Sequence, residues 1–185
     1  MKVVSLDPGS RRDACLARLC AAIHGTDAGL APLVAFSGTR HLLFPAEAAR
    51  LWALMDDQGR TRALALLVMD EEGEGMALRL AASLEESREP LRQLLRELVL
   101  NAPLRVTPSE ALDEAFLEGC GISRWVEDGQ GQRAGLSFQH PAVLSGRLAA
   151  PLTFDDQAVL RRFKEERAFF EAEKGAFVEG LGEGA

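Results

Sequence analysis

The stretch that decides the fold is Arg62–Ala82, RALALLVMDEEGEGMALRLAA. Two apolar runs, Ala63–Met69 and Met76–Ala82, flank an acidic turn with glycines at Asp70–Gly75, which is the pattern of a β-hairpin. Glu89–Val99 follows, with Leu91, Leu94, Leu95, Leu98 and Val99 at helical spacing. This helix has two candidate starts: Ser83 with Glu86 as a capping box, or Ser87 just ahead of Pro90. Asn101–Pro103 ends it. A short run at Leu104–Thr107 feeds a second helix, Pro108–Glu118, and two strands at Ile122–Glu127 and Arg133–Phe138 close the region around a turn at Asp128–Gln132. The order β-β-α-β-α-β-β predicts a mixed sheet with helices packed against it, class α+β (α/β).

Upstream, Lys2–Leu6 reads as an edge strand. Pro8 and Gly9 turn the chain, and Ser10 with Asp13 has capping-box spacing for a helix over Arg11–Ile23, with Cys15, Leu16, Leu19, Cys20 and Ile23 as its buried stripe and Gly25 as its C-cap. Thr26–Pro32 is loop by composition. Leu33–Phe36 and Leu42–Phe44 read equally as strand or irregular structure. Pro45 predicts a short helix over Ala46–Arg50. Leu51–Met55 reads as a strand turning at Asp56–Arg60 to pair with Ala63–Met69. The strongest capping signal is Thr107-Pro108-Ser109-Glu110, with Thr107 as cap and Glu110 returning a bond. Beyond Pro141, Val143–Leu152 is mixed, and Thr153 with Asp156 caps a helix to about Lys174, after which the Gly- and Glu-rich end is read as loose. A single domain over 1–185 is expected, with 1–138 as core and 139–185 as a C-terminal extension carrying a helix at 154–174.

The chain has 185 residues, 47% hydrophobic and 26% charged, in keeping with one ordinary globular core. Its net charge of −7 supplies no excess of Lys or Arg for a phosphate backbone, so nucleic acid is not an expected partner. No apolar run reaches the ~18 residues of a membrane span, and the start lacks a signal segment, so the expected location is cytoplasmic. Cys15, Cys20 and Cys120 form no CxxC pair and are read as free thiols. The histidines have no ligand spacing, and no metal site is expected. Trp52 and Trp125 read as core or interface residues. Phe163, Phe169, Phe170 and Phe177 give the last helix an aromatic face, which either the domain itself or a second copy in a homodimer must cover.

Ala115-Phe116-Leu117-Glu118-Gly119-Cys120-Gly121-Ile122, followed by Ser123-Arg124-Trp125, resembles the last helix and following strand of the GCN5-related N-acetyltransferase (GNAT) family. Leu51–Phe138 is similar to that fold in the order and length of its elements. The resemblance implies an acyl-CoA N-acyltransferase fold: a mixed, mostly antiparallel sheet with helices on both faces. It implies acetyl-CoA or another acyl-CoA as cofactor and a small-molecule or peptide amine as acceptor. The pantetheine arm would lie in a splay between central strands near Leu80, Ala81 and Ala82 and near Leu104–Thr107. The phosphates would meet the helix start at Arg88, Leu91 and Arg92.

Two family features are altered. The phosphate loop corresponds to Glu85–Leu91, which has no glycine, a proline without an amide hydrogen, and three carboxylates. The tyrosine that often protonates the departing thiolate corresponds to Leu117, and the chain contains no tyrosine. Cys120 is a candidate substitute acid, or simply a buried thiol. His41, in the polar cluster Ser37, Thr39, Arg40 and His41, is the best-placed candidate base, with Glu47, Asp56 and Asp57 as others. The alternative function is a degenerate module of the same fold, without catalysis, that binds a protein or small ligand.

Overall fold

The computed structural model describes residues 1–25 and 27–183; Thr26, part of the expected first loop, and residues 184–185 at the expected loose end lie outside the described residues. Among these residues seven strands form one sheet, β1 (Lys2–Ser5), β2 (Ala49–Met55), β3 (Thr61–Met69), β4 (Met76–Ser83), β5 (Leu104–Val106), β6 (Arg124–Glu127) and β7 (Arg133–Leu136), in the spatial order 1-2-3-4-5-7-6. Every pairing is antiparallel except β4 with β5. The helices are α1 (Ser10–His24), α2 (Ala31–Gly38) with a π-helical turn (Thr39–Leu43), α3 (Glu89–Asn101), α4 (Glu114–Gly119), α5 (Ala142–Ser145), α6 (Asp156–Glu165) and α7 (Arg167–Gly182).

Both faces of the sheet are covered, because β3 is apolar on both sides. Leu64, Leu66 and Val68 enter one core with Leu16, Leu19, Phe36 and Phe163 from α1, α2 and α6. Ala63, Ala65 and Leu67 enter the other, with Leu94, Leu95 and Leu98 of α3 and Phe116 and Leu117 of α4. The hairpin read at Ala63–Ala82 is present, and it feeds α3 as expected. The hairpin joining β2 to β3 is present too; Asp56 Oδ1 accepts from the amides of Gln58 and Arg60 and holds its turn. Of the two starts for α3, the one beside Ser87 is used: the helix begins at Glu89 with Arg88 at the cap position, and the Ser87 hydroxyl accepts from the Glu89 amide at 3.2 Å.

Several local expectations give way to tertiary packing. Leu33–Phe36 and Leu42–Phe44 are helical or helix-terminal, since a helix buried on most sides carries no polar face to announce it. Gly38 sits under the Phe154 ring, where any Cβ would penetrate the ring. Ala46–Arg50 is not a helix. The chain turns at Glu47 in the left-handed region (φ 53°), and the Ala48 carbonyl accepts from the Met69 amide as β2 begins. Ser10 caps nothing; Gly9 precedes α1, and Asp13 pairs with Arg40 at 3.1 Å instead.

The Thr107-Pro108-Ser109-Glu110 signal does not start α4. That stretch is a turn in which Ser109 and Leu112 bond each other, and Asp113 caps the helix by accepting from the Phe116 amide at 2.8 Å. β7 ends at Leu136 and leaves Phe138 exposed. The long final helix is two. Asp155, not Thr153, caps α6, and the helix breaks at Glu166. Far from being loose, the Gly- and Glu-rich stretch forms α7 up to Gly182 and lies on α1. Gly180 is so near Ala14 and Ala17 that a Cβ there would stand 3.0 Å from each. The aromatic stripe is covered by the chain itself: Phe177 meets Phe36 edge-on at 5.4 Å, and Phe169 and Phe170 pack on Phe163.

Candidate active site

β4 and β5 run side by side for only two residue pairs, Met76 with Leu104 and Ala77 with Arg105. β5 ends at Val106, paired on its other edge with β7 through Arg105–Leu136 and Val106–Gly135, while β4 runs on past Ala77 to Ser83 with β3 as its one strand neighbour. From Leu78 onward the β5-facing edge of β4 therefore has no strand partner, and it is open to an extended chain.

A bulge accentuates the parting. Leu66 faces Leu80 and Leu67 faces Leu78, so Arg79 is an extra residue on β4. Residues two apart on a regular strand share a face, but here Leu78 packs into the α3 core and Leu80 into the α1 core. The half-buried Arg79 guanidinium donates to the Thr153 hydroxyl at 3.1 Å and lies over the Phe154 ring, with its pKa lowered by burial. A cavity of about 140 Å³ occupies the parting, walled by Leu78, Arg79, Arg105, Thr107 and the Pro151–Leu152 strap. The strap is held to the end of β3 by Glu71 N–H to the Ala150 carbonyl and Leu152 N–H to the Met69 carbonyl, both 2.9 Å, and Arg105 donates to the Ala149 carbonyl. The cavity is smaller than a pocket for a whole cofactor.

The fold is the one the GNAT resemblance implies. That rests on the molecule's own strand order, its single parallel pair, and the bulged, parted β4. No protein-family model matches the chain, and no curated protein matches it. Solved structures do resemble it. Spermidine N-acetyltransferase from Vibrio cholerae, in complex with CoA and spermine, is 15% identical, with 75% of this chain and 96% of that one covered and a TM-score of 0.46. A probable acetyltransferase is 15% identical over 67% of this chain and 91% of its own, at 0.48. An acetyltransferase of the GNAT family from Staphylococcus aureus Mu50 is 9% identical over 73% and 96%, at 0.48.

Tested against an acyl-CoA, the chain fits one half and not the other. Leu80, Ala81 and Ala82 lie on the open edge of β4, where a pantetheine arm would run. At the α3 N-terminus, however, the Glu89 amide is taken by Ser87, and Pro90 has no amide hydrogen. The Arg88 guanidinium lies 4.1 Å over the Phe116 ring and donates to the Ala111 carbonyl, tying the Thr107–Leu112 turn to the helix start. Arg92 also lies over this ring, 4.8 Å from its centroid, and pairs with Glu89. Leu91 is buried. This end does not seat a diphosphate.

The two residues read as candidate acid and base are not brought together. His41 turns towards α7: Nε2 lies 2.7 Å from Glu173 Oε1, and the ring rests on Phe169. Cys120 is buried in the α3–α4 core on the opposite face of the sheet, its thiol pKa pushed up by burial. Sequence reasoning missed Arg79 and the strap. A charged residue inside Met76–Ala82 was the available signal, because it breaks the apolar run where the bulge lies. Among the described residues no group of His, Cys, Asp and Glu could hold a metal ion, and no helix is long and apolar enough to cross a membrane.

Proposed function

We propose that this chain is an N-acyltransferase acting on an amine, with acetyl-CoA or another acyl-CoA as donor. The observation that carries the reading is the unpaired edge of β4 beyond Ala77, bulged at Arg79. A bound donor supplies an activated thioester carbonyl. The chain's own part is to align the pantetheine arm along Leu80–Ala82, to exclude water with the Pro151–Phe154 strap, and to hold the acyl end beside the bulge, where backbone donors polarise a carbonyl. The acceptor is a small-molecule or peptide amine placed to attack the thioester carbonyl. The C–N bond would form as the C–S bond breaks, and the proton shed by the amine would balance the departing thiolate without a tyrosine acid, since the chain has none. A cytoplasmic location accords with the reading. A homodimer through the C-terminal helix would use its exposed Val178 and Leu181, since the aromatic residues pack inward.

Titration calorimetry with acetyl-CoA, free CoA and acetyl-pantetheine tests this reading. Saturable binding of acetyl-pantetheine, with acetyl-CoA only modestly tighter, is the expected result, because the diphosphate finds no seat. Absence of binding by all three up to about 1 mM would sink it. The second reading, a module of the same fold that binds without catalysing, is favoured by one observation: Arg88 closes the helix start onto Ala111. It predicts no thioester binding in the same titration.

A further inference from the structure

At the end of the sheet where β2 turns into β3, α1 crosses over the start of β3 and the end of β4. A cavity of about 410 Å³ lies beneath it. Four arginines line this cavity, Arg11 and Arg18 from α1 and Arg60 and Arg62 from β3 and its turn, against two carboxylates, Glu85 and Glu183. In a chain with a net charge of −7 this concentration of guanidinium groups runs against the overall balance.

Two of the four, Arg11 and Arg60, are anchored through one nitrogen and keep terminal donors free. Arg11 donates one terminal nitrogen to the Gly59 carbonyl at 2.9 Å. Arg60 Nε bonds Asp56 at 3.0 Å, leaving its terminal nitrogens. Arg62 is held between Asp56 and Glu85, which offsets the Glu85 charge within the wall itself. The half-buried Arg18 makes no hydrogen bond or ion pair among the described residues. The floor is small and weakly polar, with Ala14, Leu84, and Cys15 facing the Thr61 hydroxyl at 3.8 Å. Clustered guanidinium forks, two of them anchored, over a partly desolvated floor are a donor set for oxyanions, and the volume is that of a small-molecule site.

We infer that this cavity is a binding site for a small multivalent oxyanion, one bearing phosphoryl or carboxylate groups, distinct from the parting of β4 and β5. The inference does not depend on the acyltransferase reading, and inorganic diphosphate, which has no pantetheine arm, tests it separately.

Titration of the full chain at low ionic strength with diphosphate and with citrate is the experiment. Binding of one anion per chain is expected, and the tighter of the two identifies phosphoryl or carboxylate chemistry. Arg18→Gln and Arg60→Gln should each weaken binding about tenfold, with unchanged circular dichroism, while Arg124→Gln, at an exposed arginine on β6, should leave it unaltered. Failure of both anions to saturate by about 10 mM overturns the proposal. So does binding that survives the Arg18→Gln/Arg60→Gln double variant.

Discussion

Glu173 shows how a residue read only for its place on a helix acquires a partner set. Its carboxylate is buried and accepts from Arg40 at 3.0 and 3.1 Å and from His41 at 2.7 Å, while Arg40 Nε reaches Asp13 on α1. Glu173→Ala leaves a guanidinium without its principal acceptor at a three-helix junction. Denaturant unfolding should show a loss of about 2 kcal/mol, reduced from a fully buried case because Arg40 and His41 reach solvent. The thiols give a second prediction. Burial pushes Cys20 up to about 12 and raises Cys15 and Cys120 as well. All three should resist alkylation at pH 8 in the native chain and react together on unfolding. Fast labelling of Cys120 in the native chain would reopen its role as an acid.

At the scale of elements, α4 separates a local signal from what the fold uses. Thr107 and Pro108 have good capping chemistry, but the turn closed by Ser109 and Leu112 places Leu112 in the α3 core, and Asp113 then caps. Asp113→Ala should cost about 1 kcal/mol and Thr107→Ala under about 0.5 kcal/mol, both read by chemical denaturation. Equal costs would restore the earlier start. The α1–α7 contact is similarly specific. Gly180→Leu must push backbone as well as side chain at Ala14 and Ala17, and should lower stability by about 1–3 kcal/mol. The strands β2, β3 and β4, helix α3 and both hairpin turns were legible because alternation, apolar runs and turn residues agree there. α2 was not, because burial on most sides removes the amphipathic pattern that identifies a helix. The α6–α7 break was hidden as well, since Glu166 is an unremarkable helix residue.

At the scale of the molecule, residues 137–152 tie the β3–β4 hairpin to the far end of the sheet. His140 is buried beside Gly75, and Nδ1 accepts from the Ala142 amide. Burial lowers its pKa below 6.5, a shift opposed by the Asp70 carboxylate and aided by Arg105. The unfolded chain then binds this proton more readily than the folded one. Stability contributed here is complete above about pH 6.5 and declines as pH falls below it towards the native pKa. Thermal unfolding between pH 7 and 5 should show that decline, and His140→Gln should flatten it. An unchanged slope in the variant would assign the effect to other groups.

By itself the sequence determined the two hairpins, the helix that follows them and the absence of a glycine phosphate loop, since each depends on residues near one another in the chain. Only the tertiary structure decided that β4 bulges at Arg79 and parts from β5, that Arg88 locks the start of α3 against Ala111, and that four arginines surround one cavity. Those are meetings of segments up to some tens of residues apart, and periodicity along a chain carries no record of which of its faces will be brought together.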